Sequence, residues 1–155
     1  MSPTFTAADP DYERRVSDSF SRQAAMGLIG ARITHMAPGA VDIELPHRDD
    51  LTQQHGFLHG GIASMIVDTA GGYAGYTLFP ADASVLTVEY KMNLLAPGQG
   101  DTYVAEGRVV KAGRTLCVTT GEVYAIHEGT RVLGALMQQT LLVLHGRGDH
   151  RSENP

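Results

Sequence analysis

One carboxylate stands in the middle of an apolar, glycine-rich stretch, IASMIVDTAGGYAGYTLF, and that residue is Asp68. An unpaired buried carboxylate is costly, so Asp68 must be hydrogen-bonded, protonated, or turned toward water or a ligand. Just before the stretch comes His59-Gly60-Gly61. Glycines there let backbone approach a ligand closely, and N–H groups without partners point outward at the positive end of a helix dipole. A carboxylate that can direct water and amides that can hold an oxyanion together suit attack on a carbonyl. The plainer alternative is that Asp68 bonds a nearby amide or Thr69 and does nothing more.

The stretch lacks a strand's alternation and ends before Pro80, so residues 61–78 are expected to form one long helix. With Ile62 at zero on a helical wheel, Met65, Ile66, Thr69, Tyr73 and Tyr76 fall within about 60 degrees, which marks them as the sheet-facing stripe. Ser64, Asp68, Gly71 and Gly75 fall on the opposite side, beside an expected groove. Three glycines inside a helix cost about 2 to 3 kcal/mol. They make room for a ligand, a neighbouring strand or a second subunit. Gly60 and Asp68 are roughly 12 Å apart along one helix, too far to share a carbonyl. Two chains with antiparallel helices could bring them together, and catalysis would then require a dimer.

Other residues with chemical potential are less well placed. His55 and His59 have a zinc-ligand spacing, but no nearby Cys or carboxylate completes a set, so no metal is expected. Ser64 lacks a base and a G-x-S-x-G elbow. Lys111 and Arg114 flank a turn, either as a solvated hairpin or as a phosphate-capturing pair. The lone Cys117 lies in a strand-like run and reads as core filler in a reducing compartment.

The elements around these residues follow from pattern. Tyr12, Val16, Phe20 and Ala24 recur at helical spacing between Asp9-Pro10 and Gly27, predicting one amphipathic helix. GARITHMAPGAVDIELP reads as a hairpin about Pro38-Gly39. From Ser84, Leu86, Val88, Tyr90, Met92 and Leu94 alternate with Thr87, Glu89, Lys91 and Asn93, and three further strands follow in an antiparallel meander. No strand–helix alternation calls for a parallel sheet, so the chain is predicted to be an α+β domain with a sheet wrapped around one buried helix.

Composition sets the outer bounds. The 155 residues fit a single domain, and 43% apolar with 19% charged residues suits a packed core. A net charge of −5 gives no basic field for nucleic acid, and no window is apolar enough to cross a membrane. A soluble, cytoplasmic protein is expected. Residues 1–27 are assigned to a lead and helix, 28–146 to the main domain, and 147–155 to a disordered tail.

From about Ala25 to Leu144 the sequence resembles the hotdog-fold thioesterases of the phenylacetic-acid-degradation (PaaI-like) type. The resemblance is carried by GLIGARI, ELP, QQHGFLHGGIASMIVDTAGGYA, LTVEYKMNLLAPGQGD and KAGRT, with HGG, Asp68 and the following APG in combination. It implies an antiparallel sheet around a central helix, a homodimer joined edge to edge and commonly a dimer of dimers, and metal-free hydrolysis of acyl-CoA. Coenzyme A enters as part of the substrate, and no cofactor is implied. By position, Asp68 would be general base or nucleophile, Gly60 would polarise the thioester, His59 would support that loop and Thr87 would help orient water. Many members carry Asn six residues before the HGG histidine, where this chain has Gln53, whose amide donates from one methylene further out. Gly61, Ser64 and Gly71 would line the acyl groove, with Lys111 and Arg114 near the CoA nucleotide. Two rival readings are an acyl-CoA or lipid-binding hotdog module without turnover, and a hotdog dehydratase. The dehydratase would need a His and acid pair on its helix.

Overall fold

The computed structural model describes residues 4–149. In chain order it contains α1 (Tyr12–Ser21), α2 (Ala24–Ile29), β1 (Arg32–Ala37), β2 (Ala40–Pro46), α3 (Gly60–Tyr76), β3 (Ser84–Leu94), β4 (Thr102–Ala112), β5 (Leu116–His127) and β6 (Thr130–Leu144). The strands make one antiparallel sheet in the order β1-β2-β4-β5-β6-β3, and α3 packs across it. This is the wrapped-helix α+β architecture the patterns predict. β3 follows α3 in sequence yet takes the far edge of the sheet beside β6.

Over most of their length β2, β4, β5 and β6 alternate a buried, helix-facing row with an outer row. On β6 the inner row is Ala135, Met137, Gln139, Leu141 and Val143, all buried. Between β5 and β6 both central turn residues are left-handed, Glu128 at φ 46° and Gly129 at φ 79°, a tight hairpin turn that matches the twist of its strands.

Close approach, rather than bulk, decides which face of α3 meets the sheet. A Cβ on Gly107 of β4 would lie 2.3 Å from the Ala70 carbonyl carbon, and one on Gly121 of β5 would lie 2.4 Å from Val67. The helix therefore comes down on bare strand backbone. Gly71 and Gly75 belong to the same contact: a Cβ there would lie 2.2 Å from Gln139 and 2.4 Å from Leu141. The groove expected beside Gly71 and Gly75 is thus filled by the sheet, while Ile62 and Met65, predicted to be sheet-facing, are only half-buried. The wheel misjudged the face because the second half of α3 is apolar nearly all round and gives no phase.

The single N-terminal helix expected up to Gly27 is instead two, divided at Arg22 and Gln23, with the second ending at left-handed Gly30. Arg15 joins this region to the end of α3. It pairs with Asp9 at 2.9 Å, lies over the Tyr76 ring, and donates to the carbonyls of Tyr76, Phe79 and Pro80. These bonds satisfy helix-terminal acceptors and place positive charge at the negative end of the dipole. Of the predicted tail, residues 150–155 lie outside the described residues, and Asp149 accepts a hydrogen bond from Arg22 at 2.9 Å.

Candidate functional site

Asp68 lies midway along α3, facing β3 and β6. The hydroxyl of Thr87 donates to its Oδ1 at 2.8 Å, and the Gln139 amide donates to the same oxygen. That Thr87 can do so depends on an irregularity in β3. Thr87 pairs with Leu141 and Glu89 with Thr140, so Val88 is a surplus residue, a β-bulge. Before the bulge, Thr87 faces the helix. After it, Tyr90, Met92 and Leu94 face the helix, paired with Gln139, Met137 and Ala135. Regular alternation would have put Thr87 on the face opposite Tyr90. The bulge gives both access to α3.

Burial raises the Asp68 carboxyl above its ordinary range, and the hydrogen bonds from Thr87 and Gln139 offset part of that rise. Both bonds fall on Oδ1, and Asp68 lines a cleft of about 780 Å³ with Ser19, Gln23, Thr69, Tyr73 and Thr87. The Tyr73 hydroxyl, bonded to Ser19 at 3.0 Å, is pushed by burial up to about 12, so it stays protonated as a donor. A carboxylate of raised basicity that lines an open cleft can accept a proton from water.

The other half of the expected machinery lies at the start of α3. His59 caps the helix, its Nδ1 accepting from Gly61 N at 2.8 Å. An accepting Nδ1 places the ring proton on Nε2. The Gly61 amide is therefore occupied, whereas the Gly60 amide has no protein acceptor among the described residues. Gly60, His59 and Gln53 line a second cleft, of about 580 Å³, walled by Leu94, Phe57 and Tyr103 among others. Gln53 Oε1 accepts from His55 N at 2.5 Å, which holds the loop before the helix.

Within one chain the two clefts are separate, as the rise of the helix requires, so Asp68 and Gly60 do not meet. Ser64 lies between them and donates to the Tyr90 hydroxyl at 2.9 Å. Gly71 lines neither cleft; it is buried beneath Gln139 and Thr119, which corrects its expected place in an acyl groove. Lys111 and Arg114 are exposed at the β4–β5 hairpin and line neither cleft. Cys117 is buried, as its pattern predicts, and its thiol is pushed up to about 11. Among the described residues no cluster of His, Cys, Asp and Glu could hold a metal, and no helix is long and apolar enough to cross a membrane. Sequence reading missed Gln139. Its signal was present: it is the one polar side chain in the apolar inner row of β6.

Comparison with known proteins agrees with this geometry. Residues 55–131 match the family model described as the thioesterase superfamily. A solved thioesterase family protein from Silicibacter pomeroyi is 47% identical, with a TM-score of 0.86 over 87% of this chain and 99% of that one. A Saccharolobus solfataricus protein that carries the name of an esterase is 30% identical over 109 residues, 70% of this chain and 72% of its own. This chain belongs to the thioesterase superfamily. The PaaI protein of E. coli, from the phenylacetic acid degradation operon, has a similar fold, with a TM-score of 0.77 over 88% of this chain and 96% of its own, at 20% identity. The chain spans 64% of the length of two other archaeal relatives that it matches. The expected fold and family resemblance are both borne out.

Proposed function

We propose that this protein is an acyl-CoA thioesterase that works as a homodimer, and that each site combines Asp68 of one chain with Gly60 of the other. The observation that carries this is a carboxylate of raised pKa, fixed at one oxygen by Thr87 and open to a cleft. Supporting it, the Gly60 N–H has no protein acceptor among the described residues, and β3 is a sheet edge with exposed Leu86, Val88 and Leu94. An edge of this kind invites pairing with a second copy. Two such dimers could associate further.

Water attacks the thioester carbonyl carbon as Asp68 takes its proton, with Thr87 helping to orient the water. The oxyanion that forms accepts a hydrogen bond from the Gly60 amide, whose loop is held by His59 and Gln53. Collapse breaks the C–S bond, and the proton passes to the departing CoA sulfur. Gly61 and Ser64 border the substrate path, and Lys111 and Arg114 meet the nucleotide end of CoA from the hairpin they flank. No metal or separate cofactor takes part, and the setting is the cytoplasm.

The test is thiol release from a panel of acyl-CoAs, aryl-acetyl and benzoyl types included. Asp68→Ala and Asp68→Asn should lower kcat by about 100- to 10,000-fold while the circular dichroism spectrum stays wild type. Wild-type rates in both variants would overturn the reading. An acyl-CoA that binds but is never hydrolysed by the native chain would favour the binding-module alternative.

A further inference from the structure

We propose that Gln139, backed by Thr119 and given space by Gly71, is the positioning residue that holds the Asp68 carboxylate with its second oxygen toward the cleft. This rests on the hydrolase reading for its consequence, but not for its geometry. Gln139 is 1% exposed and occupies an otherwise apolar row between Met137 and Leu141. Burying an amide there is costly unless every polar atom is bonded. Its two N–H groups are shared among three acceptors, Asp68 Oδ1, the Asp68 backbone carbonyl at 3.2 Å and Thr87 Oγ1 at 3.1 Å. Its oxygen accepts from Thr119 at 2.8 Å.

The direction of this chain of bonds follows from chemistry. An ionised carboxylate only accepts, so the NH2 end of Gln139 faces Asp68 and the oxygen faces Thr119. Thr87, which receives one N–H from Gln139, is left to give its own hydroxyl proton to Oδ1. All of the protein bonds thus converge on a single carboxylate oxygen, and Gln139 itself does not line the cleft. Gly71 completes the arrangement: a Cβ there would lie 2.2 Å from Gln139 Oε1 and 2.9 Å from Thr119 Oγ1. The glycine that sequence reading placed in a substrate groove instead makes room for the amide.

Among the described residues, few other groups face Asp68 closely enough to govern its titration. Arg22 at the end of α1, paired with Asp149, lines the same cleft, as does Tyr73 of α3. β5 presents Cys117 nearer Gly75, and Glu89 of β3 lies on the outer face, bonded to Thr140.

Gln139→Leu should lower kcat by roughly 10- to 100-fold, the equivalent of one lost charge-assisted hydrogen bond, with KM nearly unchanged. The acid limb of kcat/KM should move to higher pH. A direct reading comes from the carboxyl ¹³C titration of Asp68, assigned with Asp68→Asn, which should also move to higher pH in Gln139→Leu. A titration that coincides with wild type in the folded variant overturns the proposal, whatever the rate. If Gln139→Leu fails to fold, Thr119→Val removes only the hydroxyl that anchors Oε1 and is read in the same way: a shifted titration supports the proposal and an unmoved one overturns it. Should Asp68→Ala and Asp68→Asn both keep wild-type turnover, the assignment of Asp68 as the base fails while the carboxyl titration still decides the role of Gln139.

Discussion

Because burial holds the Asp68 carboxyl above the ordinary carboxylate range, the folded chain keeps that proton at pH values where the unfolded chain has released it. The folded state then binds more protons than the unfolded state between about pH 3.9 and the raised folded value, so stability falls as pH climbs through this window. Above it the ionised group persists as a fixed cost. Asp68→Asn keeps the acceptor for Thr87 and Gln139 but cannot ionise. It should melt a few degrees above wild type at pH 8, with the gap closing below about pH 4. Melting curves across that range check it, and a variant less stable than wild type at pH 8 would contradict it. The same raised value brings the base nearer to working pH, so kcat/KM should fall as acidification protonates Asp68.

At the scale of elements, α3 keeps its place because strand backbone is left bare beneath it. Gly107→Ala sets a methyl against the Ala70 carbonyl, where neither partner can move aside as a side-chain end could, and should cost about 3 kcal/mol in urea unfolding. Gly27→Ala is the control: it lies within α2 with nothing near its Cβ position, and should gain up to about 1 kcal/mol. A comparable loss at both sites would refute the packing account. The same contrast explains what could be read from the chain. The α3 stretch was legible because a long apolar run lacks a strand's alternation and stops before Pro80, and the strands after it because turn residues punctuate the runs between them. The bulge was not, because Leu86, Val88, Tyr90, Met92 and Leu94 keep unbroken alternation in the sequence, and only pairing with β6 exposes the surplus residue. Asp68 and the HGG turn were visible by type. The partners of Asp68 from β6 depend on which strand closes over the helix, and residue order alone does not say.

For the whole molecule, the separation of Asp68 from the Gly60 amide within a chain allows a direct test of shared sites. Gly60 is the first residue of α3, and His59 before it is extended at ψ 132°, so the backbone accepts proline there, whose Cβ displaces the tip of the Leu94 side chain from 2.9 Å, while the N–H is deleted. Gly60→Pro should lower kcat by about 100- to 1,000-fold, the usual effect of losing an oxyanion donor. A purified heterodimer of Gly60→Pro and Asp68→Asn chains then holds one site with both groups intact and one with neither. It should recover about half of wild-type activity, whereas sites confined to single chains would recover none. The surplus residue of β3 also has a bearing on how this protein could be recombined with its relatives. Val88 divides the strand into two reading frames of opposite parity, one serving the carboxylate and the other the start of the helix. A crossover at that point need only preserve odd and even on each side, while one placed elsewhere in the strand must carry the extra residue along with the frame it resets.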